Sequence, residues 1–336
     1  PHRPLDADSE LYVPRPVGSG KLLAQKLRRT PRPILVAGPA GVGKSTELAR
    51  TKVELGADHP CVHLRVDRTD DPRKLTGKGL LRRIAVEMST AAEGWPPPPT
   101  RPDEVESDPT FDDFTLKLLR SVRKKMGEYP ILLLDGMEKV PVESLLPLTE
   151  MLQREFPETP KAMVVPLSIV YGSRLEEFFG GDAIVHAVSP LETFEEEGKV
   201  GRVFLAKVLL RRLGLLRLPV GLGVVHRQAA EWSGGILRTF LQLMVDAAGY
   251  AEIEGLKLPA TGHLHQAAAD QRDSLRRLLT AGDTAKILEA DGTDGRELPL
   301  ATRIRLLSHG LLLEYEGDPV PLVRHHPLIL ELLGHA

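Results

Sequence analysis

The residues with the clearest chemical signature form one glycine-rich segment that ends in a lysine and two hydroxyl side chains. This segment, Gly38-Pro39-Ala40-Gly41-Val42-Gly43-Lys44-Ser45, fills every fixed position of the phosphate-binding pattern G-x-x-x-x-G-K-[ST]. Glycines at such positions let successive backbone N–H groups point inward at phosphate oxygens. We expect residues 38–46 to bind a nucleotide, with Lys44 on the β- and γ-phosphates, Ser45 on Mg²⁺ and Thr46 toward the α-phosphate.

The flanking sequence supplies the strand and the helix that such a loop requires. Residues 34–37 are a short apolar run typical of a buried strand, and a helix is predicted from Lys44 onward. The positive end of that helix dipole would face the phosphates. A second GxGK segment, residues 18–21, follows a proline-broken stretch instead of a strand, so it is predicted as a loop that leads into a helix over 21–29.

A second motif places a carboxylate at the end of another predicted strand. Four apolar residues end in Asp135, which is the Walker B pattern, and this strand would carry Asp135 beside the phosphate loop to bind Mg²⁺ through water. Hydrolysis also needs a carboxylate that orients or deprotonates the attacking water. Gly136 follows Asp135 directly, so Glu138 is the nearest candidate for this catalytic role, and a solvated loop glutamate is the alternative.

Three further residues are candidates for contacts with the γ-phosphate. Arg238 falls in the first turn of a helix after the break at 233–235, where it is expected over the γ-phosphate or else in a local ion pair. Ser168 is the last residue of the predicted fourth strand, at the position expected for a γ-phosphate sensor. Arg174 is expected to pair with phosphate in cis or with a neighbour's nucleotide as an arginine finger, and an ordinary surface arginine is the alternative.

The order of the predicted elements indicates an α/β fold. Strands over 34–37, 60–66, 130–135, 162–168 and 183–188 alternate with helices, which implies a parallel sheet with right-handed crossovers. Because the first and third of these strands must serve one nucleotide with space for another strand between them, we predict the additional-strand type of P-loop NTPase. The NKxD motif of GTPases is absent, which favours ATP over GTP.

From residue 194 onward the pattern is helical and ends in a hairpin. Helices are predicted over 194–216, 222–232, 236–254, 262–279, 284–289 and 298–308, and an amphipathic helix precedes the Walker B strand over 111–126. A predicted hairpin over 311–324 and a final helix over 328–333 then suggest a winged helix. The predicted domains are 1–191 for nucleotide binding, 192–282 as a helical lid and 283–336 as the winged helix.

The charge of the winged helix argues against binding to DNA. Residues 291–336 contain four arginines and seven carboxylates, so the formal charge of this region is −3 with histidines neutral. We therefore prefer an interaction or autoinhibition role for it. The pair His325-His326 is predicted as a structural turn, because no further ligands are spaced to complete a metal site.

Composition is that of an ordinary soluble globular protein. The chain has 336 residues, of which 42% are hydrophobic and 27% charged, and its net charge of −2 gives no general attraction to nucleic acid. No apolar run is long enough for a membrane helix. The single cysteine, Cys61, suits a reducing, cytoplasmic location. The first residue, Pro1, is expected of a trimmed chain or of a piece of a longer protein.

The succession of GPAGVGKST, ILLLDGMEK, a serine-bearing fourth strand, the glycine turn SGGILR and a winged helix resembles the AAA+/STAND group of ATPases. It is most similar to bacterial STAND-like and origin-recognition-like members over residues 10–330. The resemblance implies a nucleotide-gated switch whose lid and winged helix control assembly or an effector. In this group the catalytic carboxylate usually follows the Walker B aspartate directly, so Gly136 predicts slow hydrolysis.

These observations predict a regulatory ATPase that binds ATP/ADP and Mg²⁺ and gates self-association or a protein effector. By the resemblance, its setting is bacterial defence or signalling. The first alternative is an ATP-dependent DNA-associated factor, initiator- or loader-like, that uses the winged helix. The second is a kinase, although the sequence offers no acceptor-pocket motif.

Overall fold

A computed structural model of the chain describes residues 5, 9–56, 58–69, 71–91, 115, 117, 119–121, 123, 124, 129–172, 174–194, 198–214, 216, 219, 222–317 and 320–333. The chain divides into two compact units. We call Gly20–Ala37 with Ser45–His186 the sheet unit. We call Pro1–Ser19 with Gly38–Lys44 and Ala187–Ala336 the lid unit. The predicted domain boundaries at 191 and 282 stay predictions.

The five predicted strands are present and form one parallel sheet. They are β1 (Ile34–Ala37), β2 (Cys61–Arg65), β3 (Ile131–Asp135), β4 (Lys161–Val164) and β5 (Ile184–Ala187). Their order across the sheet is β2-β3-β4-β1-β5, so β4 separates β1 from the Walker B strand β3. The pairs β1/β4, β2/β3 and β3/β4 are parallel. The predicted additional-strand arrangement is confirmed.

Helices accompany these strands in chain order. They are α1 (Gly20–Leu27), α2 (Lys44–Leu55), α3 (Val66–Thr69), α4 (Gly77–Ala91), α5 (Val142–Glu155), α6 (Leu167–Tyr171) and α7 (Arg174–Phe179), with 3₁₀ turns at Pro72–Lys74 and Met137–Lys139. The predicted helix over 111–126 lies largely outside the described residues. The core of the sheet unit packs apolar side chains of β2, β3, α4 and α5, which include Leu64, Ile84, Leu134 and Leu148. Such burial of apolar surface is the main stabilising contribution to the unit.

The fourth strand is shorter than predicted, and this moves Ser168. Strand β4 ends at Val164, and Pro166 precedes helix α6, in which Ser168 lies. Proline lacks the N–H that a strand ladder needs and fits a helix start. The interpretation of Ser168 as a residue on the strand is therefore wrong.

The lid unit consists of helices and a C-terminal hairpin. Its elements are α8 (Lys199–Leu213), α9 (Leu222–Trp232), α10 (Leu237–Ile253), α11 (Thr261–Arg276), α12 (Asp283–Ala290), α13 (Leu300–Ser308), β6 (Leu312–Tyr315), β7 (Leu322–His325), a 3₁₀ turn at Pro327–Ile329 and α14 (Leu330–Leu333). Strands β6 and β7 pair antiparallel, with Leu312 opposite His325. Helices α12 and α13 followed by this hairpin are the predicted winged helix.

Glycines flank α8, which is shorter than the predicted helix over 194–216. Gly198 directly precedes the helix, and its N–H donates a hydrogen bond to the Phe194 carbonyl. At the other end Gly214 adopts φ 65°, and its N–H bonds the carbonyls of Leu210 and Arg211. A left-handed glycine in this position ends a helix. Helix α9, in contrast, agrees with its prediction at both ends.

Candidate functional site

The three glycines of the phosphate loop adopt backbone conformations that other residues avoid. Their φ angles are 154° at Gly38, 86° at Gly41 and 109° at Gly43. A Cβ on Gly38 would lie 2.2 Å from the carbonyl oxygen of Val188, whereas a Cβ on Gly43 would meet no atom within 4 Å. Neighbouring backbone therefore packs closely against the loop at Gly38, whereas the space beside Gly43 is open. This arrangement suits a loop whose N–H groups surround an anion.

The Lys44 side chain bonds back to the first residues of the phosphate loop. Its Nζ donates hydrogen bonds of 2.8 Å to the Gly38 carbonyl and 2.9 Å to the Pro39 carbonyl. The residue is 8% exposed and is the first residue of α2, where backbone N–H groups lack helical acceptors. These bonds hold a positive charge across the loop at a helix N-terminus, which is a favourable environment for phosphate.

In the sheet unit, the two predicted metal ligands touch each other. Ser45 follows Lys44 in α2, and its Oγ donates a 2.8 Å hydrogen bond to Oδ1 of Asp135, the last residue of β3. Asp135 is 1% exposed. A hydroxyl and a carboxylate oxygen in contact are the hard donors that Mg²⁺ prefers, so this pair fits the predicted metal. Among the described residues, no group of three or more His, Cys, Asp or Glu side chains could hold a metal ion.

The electrostatic environment of Asp135 is set by burial, by the hydrogen bond from Ser45 and by the neighbouring charges. Arg65 lies opposite Asp135 in the β2/β3 register, and its Nε is 3.5 Å from Oδ2 of Asp135. Burial raises the pKa of Asp135, and the hydrogen bond from Ser45 and the charge of Arg65 offset this only in part. A buried carboxylate held in this way gains from any cation that binds beside it.

The structure explains why a glycine follows Asp135. Gly136 has φ 85°, and a Cβ there would lie 3.1 Å from the backbone N and 3.3 Å from the carboxyl carbon of Asp67. Asp67 therefore occupies the space that a side chain at 136 would enter. Burial would raise the pKa of Asp67, but its hydrogen bond from Lys139 and the nearby positive charges outweigh burial and lower it. Glu138 lies in the Met137–Lys139 turn and is half-buried.

In the lid unit, Arg238 is the second residue of helix α10 and lies against the phosphate loop. Its backbone N–H donates a 3.1 Å hydrogen bond to the carbonyl oxygen of Gly41. A Cβ on Gly41 would lie 2.7 Å from the Arg238 Cβ, so the backbones approach as closely as glycine allows. Arg238 is exposed. The structure thus brings Arg238 to the loop, and its role toward a γ-phosphate stays a prediction. Arg174, in α7, is exposed as well.

Arg15 is a buried residue of this site that the sequence did not reveal. It is 5% exposed, and its guanidinium donates to the carbonyls of Val42 at 2.7 Å and Ser189 at 2.6 Å. The same group lies 5.8 Å from the ring centre of Phe204 in α8. Arg15 thereby ties the N-terminal arm to the phosphate loop and to the lid helix. A single arginine between two prolines carries no sequence signal of such burial.

The comparisons with known proteins bear on the fold. No protein-family model matches the chain, and no curated protein matches it. A Walker-type ATPase of Pyrococcus abyssi is similar in structure with a TM-score of 0.58, 16% identity and coverage of 99% of this chain and 98% of that chain. Cdc6p of Pyrobaculum aerophilum and the ORC2 protein of Aeropyrum pernix each give a TM-score of 0.50 at 15% identity, over 97% of this chain and 96% of theirs. At these identities the likeness establishes the fold of AAA+ P-loop ATPases.

Proposed function

We propose that this chain, which has the fold of the AAA+ P-loop ATPases, binds Mg·ATP, hydrolyses it slowly and acts as a nucleotide-gated switch. The observation that carries the proposal is the hydrogen bond from Ser45 to Asp135 at 2.8 Å. Ser45 completes the phosphate-loop motif and Asp135 completes the Walker B motif, so the two motifs meet as nucleotide binding requires. The lone cysteine supports a cytoplasmic setting.

Each residue then has a physical task. The loop N–H groups and Lys44 bind and orient the phosphates, because they hold positive potential in a fixed geometry. Ser45 and Asp135 hold Mg²⁺, which neutralises phosphate charge when it is bound. Arg238, whose backbone N–H bonds the Gly41 carbonyl, would contact the γ-phosphate through its guanidinium. Glu138 orients the attacking water.

Slow turnover follows from the surroundings of Asp135. The position after it carries no side chain, and Asp67, which fills that space, is bound to Lys139. A carboxylate that is already paired is a weak acceptor for a proton from water. Glu138→Gln should therefore bind ATP and lose the remaining hydrolysis, whereas an unchanged rate would place the water-orienting group elsewhere.

The switch is tested by the mass of the purified chain. Light scattering with no nucleotide, with ADP and with a slowly hydrolysed ATP analogue, each with Mg²⁺, separates the outcomes. A larger mass with the ATP analogue alone supports ATP-gated self-association. The same mass in all three samples would contradict gated self-association and leave a protein effector as the output of the switch.

The ion pairs of the winged helix speak against the DNA-associated alternative. Three of its arginines already contact carboxylates: Arg296 with Asp294, Arg303 with Glu314, and Arg305 with Asp283. Cations engaged in this way offer little to a phosphate backbone. Binding to duplex DNA that weakens steeply with salt would favour the alternative over the switch.

A further inference from the structure

A buried tyrosine links the C-terminal hairpin to the turn between α9 and α10. The hydroxyl of Tyr315, the last residue of β6, donates a 2.9 Å hydrogen bond to the carbonyl oxygen of Gly234. Tyr315 is 2% exposed, and burial raises the pKa of its phenol, so the donor proton is retained. A buried carbonyl without such a donor would be costly.

Gly234 belongs to a turn that neighbouring residues hold on two sides. The turn, residues 233–235, joins α9 to α10. A Cβ on Gly234 would lie 2.3 Å from Cδ1 of Leu313 in β6, and a Cβ on Gly235 would lie 1.7 Å from the carbonyl oxygen of Leu191. Both glycines have positive φ angles of 57° and 73°. The turn is therefore confined between the hairpin and the segment that follows β5.

The residues after the turn lie on the phosphate loop. Ile236 is 4% exposed and packs with Leu313 and Tyr315, and its Cγ2 lies 3.2 Å from the place of a Cβ on Gly41. Two residues later, the Arg238 N–H donates to the Gly41 carbonyl. The N–H groups of a first helical turn have no helical acceptor, so Gly41 is the backbone partner that satisfies this one.

We propose that Tyr315 is a positioning residue for the nucleotide site: by holding the glycine turn, it keeps Arg238 seated on the phosphate loop. The inference rests on the proposed function for its consequence, although the contact itself does not depend on it. Coupling between two sites is reciprocal. Nucleotide bound at the loop therefore stabilises the contact of the hairpin with the turn, and loss of that contact weakens nucleotide binding.

The first test measures the contact without nucleotide. Tyr315→Phe removes one oxygen and keeps the ring, and hydrogen–deuterium exchange reports the Arg238 amide. Exchange of this amide should be faster in Tyr315→Phe than in the wild type. The matched control is Tyr250→Phe, which removes a hydroxyl bound to Asp270 at an exposed site of the same unit and should leave the amide unchanged. Equal Arg238 exchange in all three proteins overturns the inference.

The second test measures the consequence for binding. A double-mutant cycle combines Tyr315→Phe with Arg238→Ala and follows the affinity for a fluorescent ATP analogue with Mg²⁺. Tyr315→Phe should weaken binding about five- to tenfold in the wild-type background and have no further effect in the Arg238→Ala background. Additive losses would show that Tyr315 acts on the fold alone and would overturn the positioning role.

The two tests separate the failure of this inference from failure of the proposed function. If the wild type binds no ATP but the exchange of the Arg238 amide still depends on Tyr315, nucleotide binding is refuted and the structural link between Tyr315 and Arg238 is retained.

A second variant is used if circular dichroism shows that Tyr315→Phe is unfolded. Leu313→Val, which removes one carbon beside Gly234, then takes its place in both tests. Its expected effects have the same sign and smaller size, and no effect on Arg238 exchange overturns the link.

Discussion

Two glycines of the phosphate loop provide a matched test of its contact with the lid helix. Gly41 and Gly43 both have φ angles in the left-handed region, at 86° and 109°. They differ in what a side chain would meet, because a Cβ on Gly41 would lie 2.7 Å from the Arg238 Cβ and 3.2 Å from the Ile236 Cγ2, and a Cβ on Gly43 would meet nothing within 4 Å. The difference between Gly41→Ala and Gly43→Ala therefore isolates the packing of Arg238 on the loop.

The magnitude follows from two contributions. Placing alanine in a left-handed conformation costs about 1–3 kcal/mol, and both variants incur this cost. Overpacking adds about 1–3 kcal/mol in Gly41→Ala alone, since backbone and buried side chains must shift. We expect the urea midpoint, followed by circular dichroism without nucleotide, to fall in Gly43→Ala and to fall clearly further in Gly41→Ala.

Equal midpoints for the two variants would refute this reasoning. They would mean that the Arg238 backbone does not lie against Gly41 in solution, and the assignment of Arg238 to the phosphate loop would lose its basis. Gly56→Ala serves as a control outside the loop, because Gly56 also has a positive φ of 70° and open space around it. Its cost should match that of Gly43→Ala.

Three further predictions concern buried charged and polar groups. Asp135→Asn should raise the urea midpoint at pH 7, because burial raises the pKa of this carboxyl and so disfavours its charged form. The same variant should abolish the Mg²⁺ dependence of nucleotide binding. An unchanged midpoint and an unchanged Mg²⁺ dependence would contradict both expectations. Burial, and then the charge of His325, lowers the pKa of His326 to about 3, so the stability from its neutral form is present above the unfolded pKa of about 6.5 and is lost as pH falls toward 3. Between pH 5.5 and 4.5 the wild type should lose about 1.4 kcal/mol of unfolding free energy more than His326→Asn, and parallel losses would count against this placement of His326. Arg15→Met should weaken Mg·ATP binding about tenfold, because it leaves the Val42 carbonyl without its donor. The control is Arg211→Met, which should not weaken binding, since among its described partners the Arg211 guanidinium binds only the carbonyls of Glu10 and Tyr12 in the N-terminal arm. Equal effects of the two variants would remove Arg15 from the site.

The sheet could be predicted from sequence because each strand carries a local signal. The apolar runs at β1 and β3 are buried along their whole length, as uninterrupted hydrophobic strands of a parallel sheet must be. The need for both to serve one nucleotide then predicted the strand between them. Helix α9 was predicted to the residue, since apolar spacing and the glycines after it mark both limits.

The parts that sequence missed depend on contacts across the fold. Arg15 is buried only because the phosphate loop, the segment after β5 and helix α8 surround it. The sequence shows that Gly136 stands where the catalytic carboxylate usually lies, and the structure adds that Asp67, the second residue of α3, fills the space that a side chain there would enter. The apolar run that continues through Val165 predicts Ser168 on a strand, but Pro166 fits a helix start and α6 begins directly after it.

The measurement that tests the central claim most directly is calorimetric titration of Mg·ATP into the wild type and two lysine variants. Lys44→Ala removes the ammonium that bonds the Gly38 and Pro39 carbonyls, and Lys52→Ala removes an equal charge from an exposed position of the same helix. The account predicts saturable binding to the wild type and to Lys52→Ala, and loss of binding in Lys44→Ala. Binding of wild-type strength in Lys44→Ala, or none in any of the three proteins, would contradict the phosphate loop as the nucleotide site.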